Sequence, residues 1–121
     1  MPSLVITTNV KVPDIRAFIV EFSKLAAETL GKPEHSVSVS YNYDENLSFH
    51  GTFDPAFLMV ITSLDNLNPT SNEKYSKSFF GHFEEKLGVP GERGYITFLD
   101  PGRAYLGHKA THFETLFGGS S

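Results

Sequence analysis

The residues best suited to acid–base chemistry stand at the start of the chain. Pro2 follows Met1 directly and opens a short stretch rich in β-branched side chains, Ser3-Leu4-Val5-Ile6-Thr7-Thr8-Asn9. A small residue at position two permits removal of the initiator methionine, which would leave Pro2 as a secondary amine at the mouth of a buried strand. An α-amino group titrates near pH 8 as a class, and burial against apolar walls lowers it further, into the range where a general base works best. With Met1 retained, the same nitrogen is a tertiary amide and has no basic lone pair. Taken alone, the pattern is also that of an edge strand whose proline blocks pairing at its start.

Lys32, one residue after Gly31, is a second candidate. On position alone it is a cation at a helix C-terminus, favoured by the helix dipole. The five histidines invite a metal reading. His108 and His112 are four apart, but Gly107 and a poor helical pattern separate them from a shared face, and no glutamate accompanies them as in a zinc-protease helix. His50 and His82 have no evident partner, so no metal is expected. The chain has no cysteine, which excludes disulfides, thiolate metal sites and thiol catalysis. Its ten glycines form no phosphate-cradling pattern, and no Ser-His-Asp arrangement stands out.

At 121 residues the chain reads as one domain able to bury a core, filled by its eleven phenylalanines in the absence of tryptophan. The net charge of −4 and the lack of a basic stripe argue against a nucleic-acid partner. No apolar run reaches membrane length and no signal-peptide pattern opens the chain, so the expected compartment is the cytoplasm.

The elements that must position these residues follow from periodicity. Ser3 to Val10 reads as a strand. Val12-Pro13-Asp14 opens a helix, with proline setting the first turn and an apolar face at Ile15, Phe18, Phe22, Leu25 and Thr29; Gly31 caps it and Pro33 prevents a restart. Val37 to Tyr43 alternates as a half-buried strand, and Asp44-Glu45-Asn46 is turn chemistry. The continuous apolar run Ala56 to Ile61 suits a strand covered on both faces. Asn68-Pro69 begins a second helix (Thr70 and Glu73 offer a capping box in another register), with Tyr75, Phe79, Phe83 and Leu87 as its buried face and Gly88 as its cap. Tyr95 to Leu99 is a fourth strand, ended by Asp100-Pro101-Gly102. Beyond it the sequence suggests a short strand near Tyr105-Leu106 and a loose tail over 114–121.

This order is strand-helix-strand twice, a repeat visible in pattern over about residues 1–50 and 51–113. Each βαβ unit makes its two strands parallel. The fold class is therefore α/β: a four-stranded mixed sheet with two helices on one face. Its other face needs cover that a chain of this length cannot supply, so an oligomer is expected.

Several of these residues together resemble the macrophage migration inhibitory factor family of the tautomerase superfamily. They are Pro2 with Thr8-Asn9-Val10, Gly31-Lys32-Pro33, Asp54-Pro55-Ala56, Tyr75-Ser76-Lys77 and Arg93-x-Tyr95-Ile96, with Asp100 and Gly107 in the same register. The resemblance covers essentially the whole chain to Phe113. It implies a homotrimer whose three sheets close around an axis, and a cofactor-free keto–enol tautomerase acting on small aromatic α-keto acids, phenylpyruvate-like or dopachrome-like. Pro2 would be the general base, and Lys32 would hold the substrate carboxylate and disfavour protonation of Pro2. Ser63 and the backbone N–H of Leu64 would face substrate oxygens. Tyr95 and Thr97 would enter from a neighbouring subunit, with Leu106, His108 and Phe113 shaping the pocket.

The chain departs from that pattern in places. Thr97 stands where mammalian members usually have asparagine, His108 where they have a pocket tryptophan, and Ala56 and Met59 where the animal cytokine has its Cys-x-x-Cys pair. Thr97 and His108 favour the rival reading, a cytokine-like binding protein with weak or no tautomerase activity, for which leaderless secretion and a receptor would have to be invoked. A structural oligomer without a ligand is the third reading.

Overall fold

The computed structural model describes residues 1–118. β1 (Ser3–Thr8), α1 (Ile15–Leu30) and β2 (Ser38–Tyr43) form the first half; β3 (Phe57–Thr62), α2 (Pro69–Leu87) and β4 (Gly94–Leu99) form the second. The sheet order is β2-β1-β3-β4, with β1 parallel to β2, β3 parallel to β4, and β1 antiparallel to β3 at the centre. This is the expected mixed sheet of two βαβ units.

Both helices begin and end on local chemistry. The Asp14 carboxylate accepts from the Ala17 N–H at 3.0 Å, and the Asn68 side chain accepts from the Ser71 N–H at 2.8 Å, with Pro69 in the first turn. Pro13 therefore precedes the cap instead of lying in the first turn, and the Thr70–Glu73 register is not used. Gly31 and Gly88 close the helices at φ 67° and 68°, a left-handed conformation that a Cβ disfavours.

The core is aromatic. Phe22, Ala26 and Leu30 of α1 and Phe79, Phe83 and Leu87 of α2 pack on Leu4 and Ile6 of β1 and on Phe57, Met59 and Ile61 of β3. Phe22 and Phe83 stack with ring centroids 5.4 Å apart. The apolar stripe of α1 is rotated from the expected one: Ile15 is exposed, and Ala26 and Leu30 take its place in the core. The β3 strand is covered on one face only within the chain. Leu58 and Val60 point to the open face of the sheet together with Val5, Tyr95 and Leu99, all exposed. An apolar run does not distinguish a second packed face from an apolar face left open; the open face seen here is the one that the two-helix layout left without cover.

The tail is more ordered than its pattern suggests. A 3-10 turn at Arg103–Tyr105 leads to a small hairpin, β5 (Gly107–His108) with β6 (Thr111–His112), and then to a short helix, α3 (Phe113–Phe117). The strand expected near Tyr105-Leu106 thus lies two residues later, and the tail from 114 is helical as far as Phe117. Residues 119–121 of the expected loose end lie outside the described residues. Among the described residues no helix is long and apolar enough to cross a membrane.

Candidate functional site

The sheet register brings three strand ends together. Ser3 lies opposite both Ser38 and Thr62, so the start of β1 meets the start of β2 and the end of β3. The Ser38 N–H donates to the Pro2 carbonyl at 3.0 Å. The left-handed turn at Gly31 reverses the chain after α1, the Lys32 N–H donating to the Ala27 carbonyl at 3.0 Å, and directs Lys32 toward the same corner.

A polar chain holds the opposite wall. The Ser63 hydroxyl donates to Asn66 Oδ1 at 2.6 Å, Asn66 Nδ2 donates to the Leu30 carbonyl at 3.1 Å, and the Tyr75 hydroxyl donates to the Asn66 carbonyl at 2.9 Å. These bonds fasten the segment after β3 to the end of α1. They bring Leu64 beside Lys32, whose Nζ donates to the Leu64 carbonyl at 3.4 Å, a long and weak contact.

Between these walls lies a cleft of about 340 Å³, lined on one side by Met1, Lys32 and Leu64. Asp65, Arg103, Phe113 and Phe117 close it on the side of the tail, and Pro33 and Ser36 complete the rim. That volume suits a small organic acid. The amine of Met1, a lining residue, is pushed below its ordinary value near 8.0, first by burial and then by the cation of Lys32. Pro2 is buried directly behind it.

The site residues expected from sequence separate into two groups. Lys32, Leu64 and Phe113 line the cleft, and Pro2 stands one residue behind its lining. The others do not line it. Ser63 is buried beneath it with its hydroxyl committed to Asn66. Tyr95 and Thr97 lie on the open face of β4, where the Tyr95 ring is 4.9 Å from that of Phe49. The Leu106 carbonyl accepts from the Phe113 N–H at 3.0 Å, and His108 is exposed with its ring 5.6 Å from Phe113.

Sequence reasoning missed Asp65, Arg103 and Phe117. Arg103 Nε and Nη2 each lie 2.8 Å from Asp65 Oδ2, a contact spanning 38 positions that no local pattern announces. The one available signal was a charged pair flanking the Leu64 and Asp100-Pro101-Gly102 segments. Among the described residues no group of three or more His, Cys, Asp or Glu is close enough to hold a metal ion.

Two βαβ halves forming one mixed sheet, with the amino terminus opening into a cleft, define the class as the tautomerase-superfamily fold. The chain belongs to the macrophage migration inhibitory factor family, whose model matches residues 1–114. It is 34% identical to the migration inhibitory factor homolog of Trichinella spiralis and 36% identical to that of Trichuris trichiura, in each case over 93% of this chain and all of the relative. The solved structure of the Trichinella spiralis protein superposes with a TM-score of 0.85 at 33% identity, over 92% of this chain and 99% of that one. The homologue from Prochlorococcus marinus gives 0.85 at 30% identity, over 92% and 98%.

Proposed function

We propose that the chain is a cofactor-independent keto–enol tautomerase of small aromatic α-keto acids, phenylpyruvate-like or dopachrome-like, with Pro2 as general base once Met1 is removed. The observation that carries this reading is the meeting of the chain start with Lys32 at one cleft: the residue capping that start faces the cleft, and its amine is already depressed by burial and by Lys32. Loss of Met1 would transfer both influences to the proline nitrogen.

The proton bookkeeping is simple. The Pro2 nitrogen takes a proton from the carbon beside the keto group, the C–H electrons become the C=C bond of the enol, and a proton returns to the keto oxygen. Lys32 anchors the substrate carboxylate and disfavours protonation of the nitrogen, and the proton shift itself consumes no oxidant or cofactor. Leu64 supplies an apolar wall, and Phe113 offers an aromatic face to the substrate ring.

The assembly belongs to the same proposal. The open face of the sheet exposes Val5, Leu58, Val60, Tyr95 and Leu99, which suits burial against further copies. A homotrimer would bring Tyr95 and Thr97 of one copy to the cleft of the next. Cytoplasmic residence follows as a proposal from the same composition.

A second reading, a cytokine-like binding protein with little or no turnover, is favoured by Thr97 and His108 and by any pool of chain that retains Met1. The two separate in one assay: enol–keto interconversion of phenylpyruvate by protein whose intact mass shows Met1 removed. Turnover that falls by at least about a hundredfold in Pro2→Gly supports the base. Undiminished turnover in that variant overturns it.

A further inference from the structure

The established family pattern ends at residue 114, yet the cleft continues past it. Phe117, three residues beyond the match, is part of the lining. The residue is 63% exposed, so packing inside the chain gives little reason for its position. Its backbone is nevertheless held in place. Arg103 Nη1 donates to the Phe117 carbonyl at 3.1 Å and lies 3.4 Å from the Gly118 carbonyl oxygen. The other two guanidinium nitrogens hold Asp65, each at 2.8 Å from Oδ2.

Asp65 is itself an unusual choice. It adopts φ 68°, where a glycine would sit without strain and a side chain is tolerated at a cost. Its N–H donates to Asp100 Oδ2 at 3.0 Å, and Asp100 Oδ1 accepts from the Gly102 N–H at 2.9 Å, which fixes the segment carrying Arg103. The sequence thus keeps a carboxylate on a left-handed backbone position whose side chain serves to orient one arginine. That arginine in turn grips the last carbonyls of α3, the end of a helix where a cation is electrostatically favoured.

The aromatic rings complete the picture. His108, Phe113 and Phe117 form a continuous row, with centroids 5.6 Å and 5.2 Å apart, and Phe113 and Phe117 both face the cleft. Lys32 stands across the same space. An acid whose carboxylate meets Lys32 would place an attached ring against Phe117, where ring–ring contact adds to burial.

We propose that Phe117 is a specificity-determining residue of this cleft, selecting aromatic over aliphatic carboxylic acids, and that Asp65 and Arg103 are positioning residues that clamp it over the mouth. Arg103 is committed to the chain itself, so the single carboxylate is left to Lys32 and the site takes an aromatic monoacid. The proposal rests on the tautomerase reading for the class of ligand, and its test uses acids that cannot tautomerise.

Binding of 3-phenylpropionate and of propionate is measured by calorimetry or NMR titration on the full chain, Met1 removed, for wild type, Phe117→Ala, Arg103→Ala and Lys32→Ala. Phe117→Ala is expected to weaken 3-phenylpropionate about three- to tenfold and to leave propionate within about twofold. Arg103→Ala should reproduce that selective loss although the Phe117 ring is intact, while Lys32→Ala should weaken both acids alike. Unchanged 3-phenylpropionate affinity in Phe117→Ala, or equal loss of both acids in Arg103→Ala, overturns the proposal. So does a wild-type chain that binds neither acid, and the turnover assay with Pro2→Gly would still report separately on the base.

Discussion

The two helix-to-strand connections of this chain are built alike and end up as opposites. Counted back from Gly31 and Gly88, the buried residues coincide: Phe22, Ala26 and Leu30 in the first half, Phe79, Phe83 and Leu87 in the second. Each glycine is followed by one residue, then a proline at φ −65° or −68°, then a 3-10 turn into the parallel strand. The residue between glycine and proline is Lys32 in one half and Val89, 1% exposed, in the other. Four residues on, Ser36 lines the cleft, whereas Arg93 donates to the carbonyls of Pro55, Phe49 and Asp54 at 2.9–3.1 Å. Asn9 adds bonds from its Nδ2 to the Leu47, Phe53 and Asp54 carbonyls, and the Ala56 N–H donates to its Oδ1. One backbone device therefore makes a sealed end in the second half and an open, cationic end in the first. The difference lies in two side chains and in the length of loop available to cover them.

Exchanging the distinguishing residues should separate the halves most clearly. Val89→Lys places an amine in the sealed core and should cost at least about 3 kcal/mol, read as a fall in the urea midpoint. Lys32→Val should leave stability within about 1 kcal/mol of wild type while abolishing the preference of the cleft for anions. Equal damage from both would mean that the ends are not differently packed. Arg93→Ala should destabilise by about 1–3 kcal/mol and speed amide exchange through 47–56, because three carbonyls lose a charged donor. Ser36→Ala, at the matching position, should change stability by less than about 0.5 kcal/mol.

The smallest expected effect concerns His82, which matches Leu25 in the first half. Its ring lies among Phe18, Phe22 and Phe83, its Nε2 has no partner among the described residues, and burial lowers its pKa from 6.5 against the opposing pull of Glu21. The unfolded chain then binds the proton more readily than the folded one. The contribution to stability is present above pH 6.5 and is lost as pH falls from 6.5 toward the folded value. Thermal unfolding of wild type should show a small acid-side decline over that window, and His82→Leu, made like the first half, should flatten it.

The repeat was legible because its signals are local. Gly31, Gly88, Asn68-Pro69 and the four-residue spacing of Phe79, Phe83 and Leu87 each act within one turn of chain, and each appears as expected. The open side of the sheet was legible from the layout, two helices sufficing for one face only, but not from the β3 run itself, since Leu58 and Val60 are as apolar as residues packed on both faces. The tail was missed for a different reason. Its hairpin turns on Lys109-Ala110, both at positive φ, where Asn-Gly would have announced the turn. Helix α3 spans five residues, too few for a periodicity to register. Of the cleft, Lys32 and Phe113 were found through the family pattern, whereas Asp65, Arg103 and Phe117 act through contacts between distant positions.

The claim on which the open end depends is that Pro2, freed of Met1, is an amine whose proton affinity is lowered by burial and by Lys32. Nitrogen NMR of chain labelled at proline and verified by mass as Met1-free measures this directly, by titrating the Pro2 resonance in wild type and in Lys32→Ala. A midpoint below 8.0, the ordinary value of an α-amine, that rises when Lys32 is removed is the expected result. A Pro2 nitrogen that titrates at or above that value, indifferent to Lys32, would contradict the account.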